Sequence, residues 1–262
     1  MTTAPADAHG HEDDHGHGHD HPKHLAHHFD TLEQQFDSCK LGMWAFLLTE
    51  VLFFSGLFVA YATLRANNPE VFSYASSFLD TKWGAINTVV LLISSFTAAM
   101  SVRNAQLGET SKLKRNLIIT LICAGGFMGI KYVEYSHKWH AGLLPPGLEN
   151  SMFNVEAPFV PEAGHHDADY LNLQRDTMHM APAERVHFMT TLGRFFGVYF
   201  FLTGLHGVHV LIGMGVISWL ILRAGRGEFG PENFTAVDLV ALYWHLVDLV
   251  WIFLFPLLYL IA

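Results

Sequence analysis

The sequence predicts an all-α polytopic membrane protein, a bundle of five transmembrane helices. Three observations carry that prediction. The 262 residues are 51% hydrophobic and only 15% charged, apolar for a soluble domain. Mean hydropathy is nonetheless just +0.26, so the apolar residues are unevenly placed. They fall into five runs long enough, at about 1.5 Å per residue, to cross a hydrocarbon layer of about 30 Å. The formal charge of -9 argues against nucleic acid as a partner, since phosphate binding needs a basic face. Cys39 and Cys123 lie far apart, so no disulfide framework or CxxC site is legible.

Residues 1–38 hold nine of the eighteen histidines, eight carboxylates and Lys23 as their lone cation. They have no apolar period and read as a disordered, acidic, His-rich tail ahead of a membrane domain at 39–262. The tail lacks the basic start and apolar stretch of a signal peptide and is expected to stay on the side where it was made. Its imidazoles at His9, His11, His15, His17, His19 and His21 are weak metal candidates; a solvated tail without a metal is the favoured reading.

Span one runs from Leu41 to Leu64, with Glu50 as its single formal charge. The others are expected at about Trp83–Val102, Leu117–Tyr135, Thr190–Leu222 and Ala236–Ile261. The 103–116 connection carries Arg103, Lys112, Lys114 and Arg115, which favours a cytoplasmic N-terminus and an external C-terminus. The outer connection 137–187, with five prolines, reads as mostly irregular, with a short helix before span four. No internal repeat is visible, which weakens an inverted-repeat transporter reading.

Ionisable groups in hydrocarbon cost about 2.5 to 3.5 kcal/mol on insertion scales, so each needs a partner or a use. Thr203, His206 and His209 recur at i, i+3, i+6; His245 with Asp248 and Lys131 with Glu134 at i, i+3. Each set is expected on about one side of its helix, facing another helix. Gly125, Gly126, Gly129, Gly197, Gly204, Gly207 and Gly213 are expected to bring backbones close enough for bonds across helices. For His206 and His209, interhelical hydrogen bonding is favoured over a metal or haem site, and no metal set is expected in the spans. His245 and Asp248 read as a structural clasp, with a proton relay as the rival. Lys131 and Glu134 read as a local ion pair near the outer interface. Glu50 has no cation within a turn of its own helix and is expected to be neutral unless paired across helices. Tyr243, Trp244, Trp251, Tyr259 and Trp219 fit interface belts or helix packing.

Five segments together carry a family resemblance: T-E-V-L-F-F at 49–54, I-N-T at 86–88, G-F-M-G-I-K-Y-V-E-Y at 126–135, T-G-L-H-G-V-H-V-L-I-G at 203–213 and Y-W-H-L-V-D-L-V-W-I-F-L-F at 243–255. Over residues 38–262 the chain resembles subunit III of the haem-copper oxidases. The resemblance implies a non-redox subunit with no catalytic side chain, packed beside catalytic subunits I and II that hold the haem and copper. Glu50 matches the family's carbodiimide-reactive carboxylate. The family subunit binds phospholipids, sustains proton uptake and protects the oxygen-reducing centre. Better-known members have seven spans with lipid between two leaves; this chain has five, an arrangement similar to bacterial caa3-type and quinol-oxidase systems. Glutamine is common in the family where Lys131 stands.

The expected function is therefore subunit III of a respiratory oxidase that passes electrons from cytochrome c to oxygen and pumps protons, in a bacterial plasma membrane. A quinol oxidase is the alternative donor class. The outer loop is a candidate contact for a further respiratory complex. A stand-alone proton-coupled or metal transporter and an assembly factor are the rivals from other classes.

Overall fold

The computed structural model describes residue 26, residues 29–154 and residues 167–260. The tail histidines His9 to His21 lie outside the described residues. Among the described residues seven helices follow in order: α1 Leu32–Asn67, α2 Pro69–Ser76, α3 Thr81–Gln106, α4 Thr110–His140, α5 Ala168–Thr177, α6 Pro182–Gly225 and α7 Thr235–Tyr259. Five of them, α1, α3, α4, α6 and α7, are long and apolar enough to cross a membrane.

Short polar side chains set the starts of α1, α3 and α5. Thr31 accepts from the Gln34 N–H and opens α1 at Leu32, inside the segment read as tail. A threonine N-cap followed by helix-forming residues decides this start, which the apolar pattern alone could not place. Asp80 caps α3 through the Lys82 and Trp83 N–H groups, and Asp167 caps α5 through Asp169 and Tyr170. The outer connection is shorter than expected because α4 runs on to His140 and α6 begins at Pro182. The expected short helix is α5. A helix between spans one and two, α2, was not expected; it has Pro69 in its first turn and buries Phe72, Ala75 and Ser76.

The buried residues of three helices recur in heptads. On α4 they are Leu113, Leu117, Thr120, Ala124, Phe127, Lys131 and Lys138. On α6 the series Leu192, Phe196, Tyr199, Thr203, His206, Val210, Gly213, Ile217, Leu220 and Ala224 obeys the same 3–4 alternation. Val237, Ala241, Trp244, Asp248, Trp251 and Leu258 do so on α7. Such seams suit helices crossing at about 20°. With α3 packed along α4 and α7, and α6 along α4 and α7, these four helices close a ring. α1 lies outside it, against α7 and α2, and buries one residue per heptad, Leu47, Phe54 and Tyr61.

α2, α5 and residues 141–154 cover one end of the bundle, hereafter the capped end. There Tyr74 Oη donates to Asp176 Oδ2 at 2.9 Å, joining α2 to α5; burial and this bond push the Tyr74 phenol up. Gly193 is required where α6 passes under the cap. A Cβ there would sit 2.9 Å from Phe153 Cβ and from Pro146.

Candidate functional site

The bundle's polar groups gather at three levels. Nearest the capped end is a charged network. Lys131 Nζ donates to Glu134 Oε2 at 2.8 Å and to Tyr259 Oη at 2.5 Å, and lies 4.6 Å from the Trp251 ring centroid. These contacts give an ammonium two hydrogen bonds and a cation–π partner. Glu134 Oε1 accepts from Tyr199 Oη at 2.8 Å and Tyr259 Oη at 2.6 Å. Lys138 Nζ stands 3.8 Å from the same carboxylate and donates to the Phe78 carbonyl at 3.2 Å. All three charged side chains are less than one-tenth exposed. Glu134 is the hub: a single carboxylate faces two buried ammoniums and ties α4 to α6 and α7.

Lys131 with Glu134 is the local ion pair the spacing suggested. Lys138, Tyr199 and Tyr259 were missed as members. The signal for them was present, because Lys138 lies seven residues after Lys131 on the α4 seam and Tyr199 lies on the α6 seam.

At the second level Tyr135 and Thr203 share a hydroxyl bond between α4 and α6. His206 is fully buried, its ring against Phe127 and Trp251, each 5.5 Å between centroids. Neither of its ring nitrogens has a hydrogen-bond partner among the described residues, so the expected bond across helices is replaced by aromatic packing. His209 leaves this seam altogether. Its Nε2 lies 3.0 Å from Glu50 Oε2 on α1, and its Nδ1 2.9 Å from the Leu205 carbonyl. The three residues expected on one side thus divide. Thr203 and His206 face into the ring, while His209, about 120° round the helix from Thr203, faces α1. Glu50 therefore has the cross-helix partner that its own helix lacked.

At the third level His245 Nδ1 pairs with Ser95 Oγ of α3 at 2.7 Å. Asp248 is buried, and neither of its oxygens has a hydrogen-bond partner among the described residues. His245 and Asp248 therefore do not clasp each other: Asp248 lies on the α7 seam and His245 one step off it. Further bonds join α3 to its neighbours, two of them from tryptophans expected only in belts or packing: Trp244 Nε1 to Ser94 Oγ at 2.8 Å, Trp251 Nε1 to Thr88 Oγ1 at 3.1 Å, and Thr97 with Thr120 at 2.7 Å. Trp244, Trp251, Tyr243 and Tyr259 serve packing, whereas Trp219 is exposed beside Arg223.

Comparison with known proteins fits this arrangement. A family model described as cytochrome c oxidase subunit III matches residues 178–262, covering α6 and α7. The chain is similar over most of its length to cytochrome c oxidase subunit 3 of Corynebacterium diphtheriae, 29% identical over 223 residues, 84% of this chain and 87% of the relative. It is likewise similar to a probable cytochrome c oxidase subunit 3 of Nocardia farcinica, 28% identical over 219 residues, 84% and 86%. This chain belongs to the haem-copper oxidase subunit III family. Quinol oxidase subunit 3 of Bacillus subtilis is similar too, 27% identical over 222 residues, 85% of this chain and 86% of that one.

As a subunit III, the chain is part of a haem-copper terminal oxidase complex of the respiratory chain and associates with its other subunits. The matched stretch contains Thr203, His206, His209, His245 and Asp248. Outside it, at the capped end, the described residues bring His137, Asp167 and Asp169 together with ligand atoms within 4.8 Å of one another. This juxtaposition was not visible in the sequence, because α5 must dock on α4 to form it.

The expected close-packing glycines are corrected in part. Of the seven, only Gly213 is tightly approached, with a Cβ position 2.6 Å from the Trp244 ring; the other six have nothing within 4 Å. Gly84, not expected, sits equally close to Phe255, at 2.6 Å. The close approaches here are of helix to aromatic ring, and they follow the seam.

Proposed function

We propose that this subunit III is the non-redox third subunit of an oxidase that takes electrons from cytochrome c and translocates protons across a bacterial plasma membrane. It binds no haem or copper itself, those groups residing in subunits I and II, and it supports the stability and proton uptake of the catalytic subunit. The observation that carries this reading is the Glu50–His209 pair. It places a carboxylate with an imidazole partner at mid-span, with Glu50 and His209 side chains 19% and 15% exposed. The pair joins α1 to α6 of the ring and is only partly buried. The charged groups of α4 are by contrast buried and bonded to one another, which disfavours a transporter that would line a path with them. The 103–116 connection supports a cytoplasmic N-terminus and an external C-terminus.

The similarity to quinol oxidase subunits over the same portion supports a second donor, quinol. Oxygen uptake by the purified complex decides between them. Turnover with reduced cytochrome c and none with a quinol analogue is expected; the reverse assigns the quinol reading.

A further inference from the structure

At the capped end the last turn of α4 meets the first turn of α5, and the meeting puts three metal-ligating side chains together. His137 Nε2 lies 3.8 Å from Asp167 Oδ2, and its Nδ1 lies 3.9 Å from Asp169 Oδ2. Taking one ligand atom from each residue, all three fall within 4.8 Å of one another. Neither pairing is short enough to be a hydrogen bond. Two atoms each bound about 2.1 Å from one ion stand at most about 4.2 Å apart. The His137 side chain is 61% exposed, so its ring is free to turn by the small amount that closes the set and is open to an ion arriving from water.

The aspartates are positioned by their own helix. Asp167 precedes α5 with an extended backbone and spends Oδ1 on the Asp169 and Tyr170 N–H groups, at 2.9 and 3.5 Å. Those bonds fix the carboxylate and leave Oδ2 turned to His137, as a hydrogen bond to the far oxygen orients a metal-ligating carboxylate. Only 9% of the Asp167 side chain is exposed. Asp169 follows two residues on, and burial and the Asp167 carboxylate push its carboxyl up. Lys138 is near enough to feel both aspartates. Its ammonium is nonetheless engaged elsewhere, 3.8 Å from Glu134 and donating to the Phe78 carbonyl at 3.2 Å. Among the described residues the side chain within ion-pair distance of both Asp167 and Asp169 is an imidazole, which ligates metal when neutral.

We propose that His137, Asp167 and Asp169 form a reversible Zn²⁺ site that clamps α5 onto α4, with water completing the coordination. One imidazole and two carboxylates supply the nitrogen and oxygen donors that zinc takes, whereas Mg²⁺ and Ca²⁺ take oxygen ligands. Because Tyr74 ties α2 to α5 through Asp176, the ion fixes the helical cap to the end of the bundle. The site stands apart from the Glu50–His209 pair and does not depend on which donor feeds the oxidase.

The test uses the intact purified complex, stripped of loosely held metal with a mild chelator, and follows amide hydrogen exchange of the 167–177 segment by mass spectrometry. Reading exchange at this segment keeps zinc taken up by the His-rich tail out of the signal. Zn²⁺ at about ten times its half-saturating concentration is expected to slow exchange there about tenfold, and Mg²⁺ at the same concentration to leave it unchanged. His137→Gln and Asp169→Asn each remove one ligand and spare the Asp167 cap of α5. Both are expected to abolish the zinc response, with an unchanged haem spectrum and unfolding temperature in the absence of zinc reporting intact assembly. Exchange unaffected by Zn²⁺ in the parent, equal slowing by Mg²⁺, or a zinc response that survives in both variants overturns the proposal.

Discussion

α1 and α7 are both apolar membrane spans, yet they are built to opposite ends. In the most apolar stretch of α7, 44% of residues are buried, against 11% in α1. α7 meets α3, α6 and α1, carries two fully buried tryptophans, and presents two seam residues per heptad. α1 presents one. Its polar ties to the rest are Glu50 to His209, Lys40 to Asp238 at 3.4 Å, and Tyr61 Oη to the Leu257 carbonyl at 2.7 Å, beside ring contacts of Phe36 with Phe234, Phe46 with Tyr243 and Tyr61 with Phe72. Lipid is as apolar as leucine, so burying apolar area alone does not hold one span on another. The ring of α3, α4, α6 and α7 is held by interdigitated side chains and a buried charge network, whereas α1 is positioned by one buried residue per heptad and a handful of polar and aromatic contacts.

Substitutions that act on one region and spare the other test this contrast. The largest effect is expected from Glu134→Ala, which leaves Lys131 and Lys138 buried without their counter-ion and destabilises the subunit by about 3 to 5 kcal/mol. Thermal unfolding of the purified complex, followed by loss of this subunit, reads it. A variant that unfolds like the parent would show that the network does not hold the ring. Gly84→Ala comes next, at about 1 to 3 kcal/mol from overpacking against Phe255. Gly56→Ala on α1, where nothing lies within 4 Å, should leave the unfolding temperature unchanged in the same assay. Equal responses at the two glycines would erase the difference between ring and periphery.

Ser95→Ala removes the hydroxyl partner of His245 and is expected to cost about 0.6 to 1.7 kcal/mol, the range of interhelical hydrogen bonds in membranes. Chemical denaturation of the subunit in mixed micelles resolves a change of that size. Glu50→Gln should perturb stability least, because the pair lies at the edge of α1 and an amide still reaches His209. Its signature is chemical: carbodiimide labelling of this subunit is expected to vanish while assembly persists. Labelling that survives places the reactive carboxylate elsewhere.

Span number and order were legible because hydrocarbon thickness imposes run length directly on sequence. The Lys131–Glu134 pair was legible because one helical turn separates the partners. What remained hidden depends on how helices are rotated against one another. His209 meets Glu50 from 159 positions away, and Tyr259 reaches Lys131 from the far end of α7; spacing within one helix cannot encode either meeting. Whether a residue sits on the heptad seam is the usable signal that was passed over. It separates His206 from His209 and Asp248 from His245, and it would have brought Tyr199 and Lys138 into the charged network. α2 escaped because eight residues are too few to show an amphipathic period against the adjoining spans.

The role proposed for this chain is that of a non-redox subunit seated on a haem-copper catalytic core. Purification through an affinity tag on its C-terminus in a mild detergent, followed by a reduced-minus-oxidised optical spectrum and identification of the co-purified subunits, tests it most directly. Haem bands, a large multi-span partner and oxygen uptake are expected in the same fraction, with the haem leaving alongside the partner when this subunit is stripped away. A colourless chain recovered alone, even in digitonin, would contradict it.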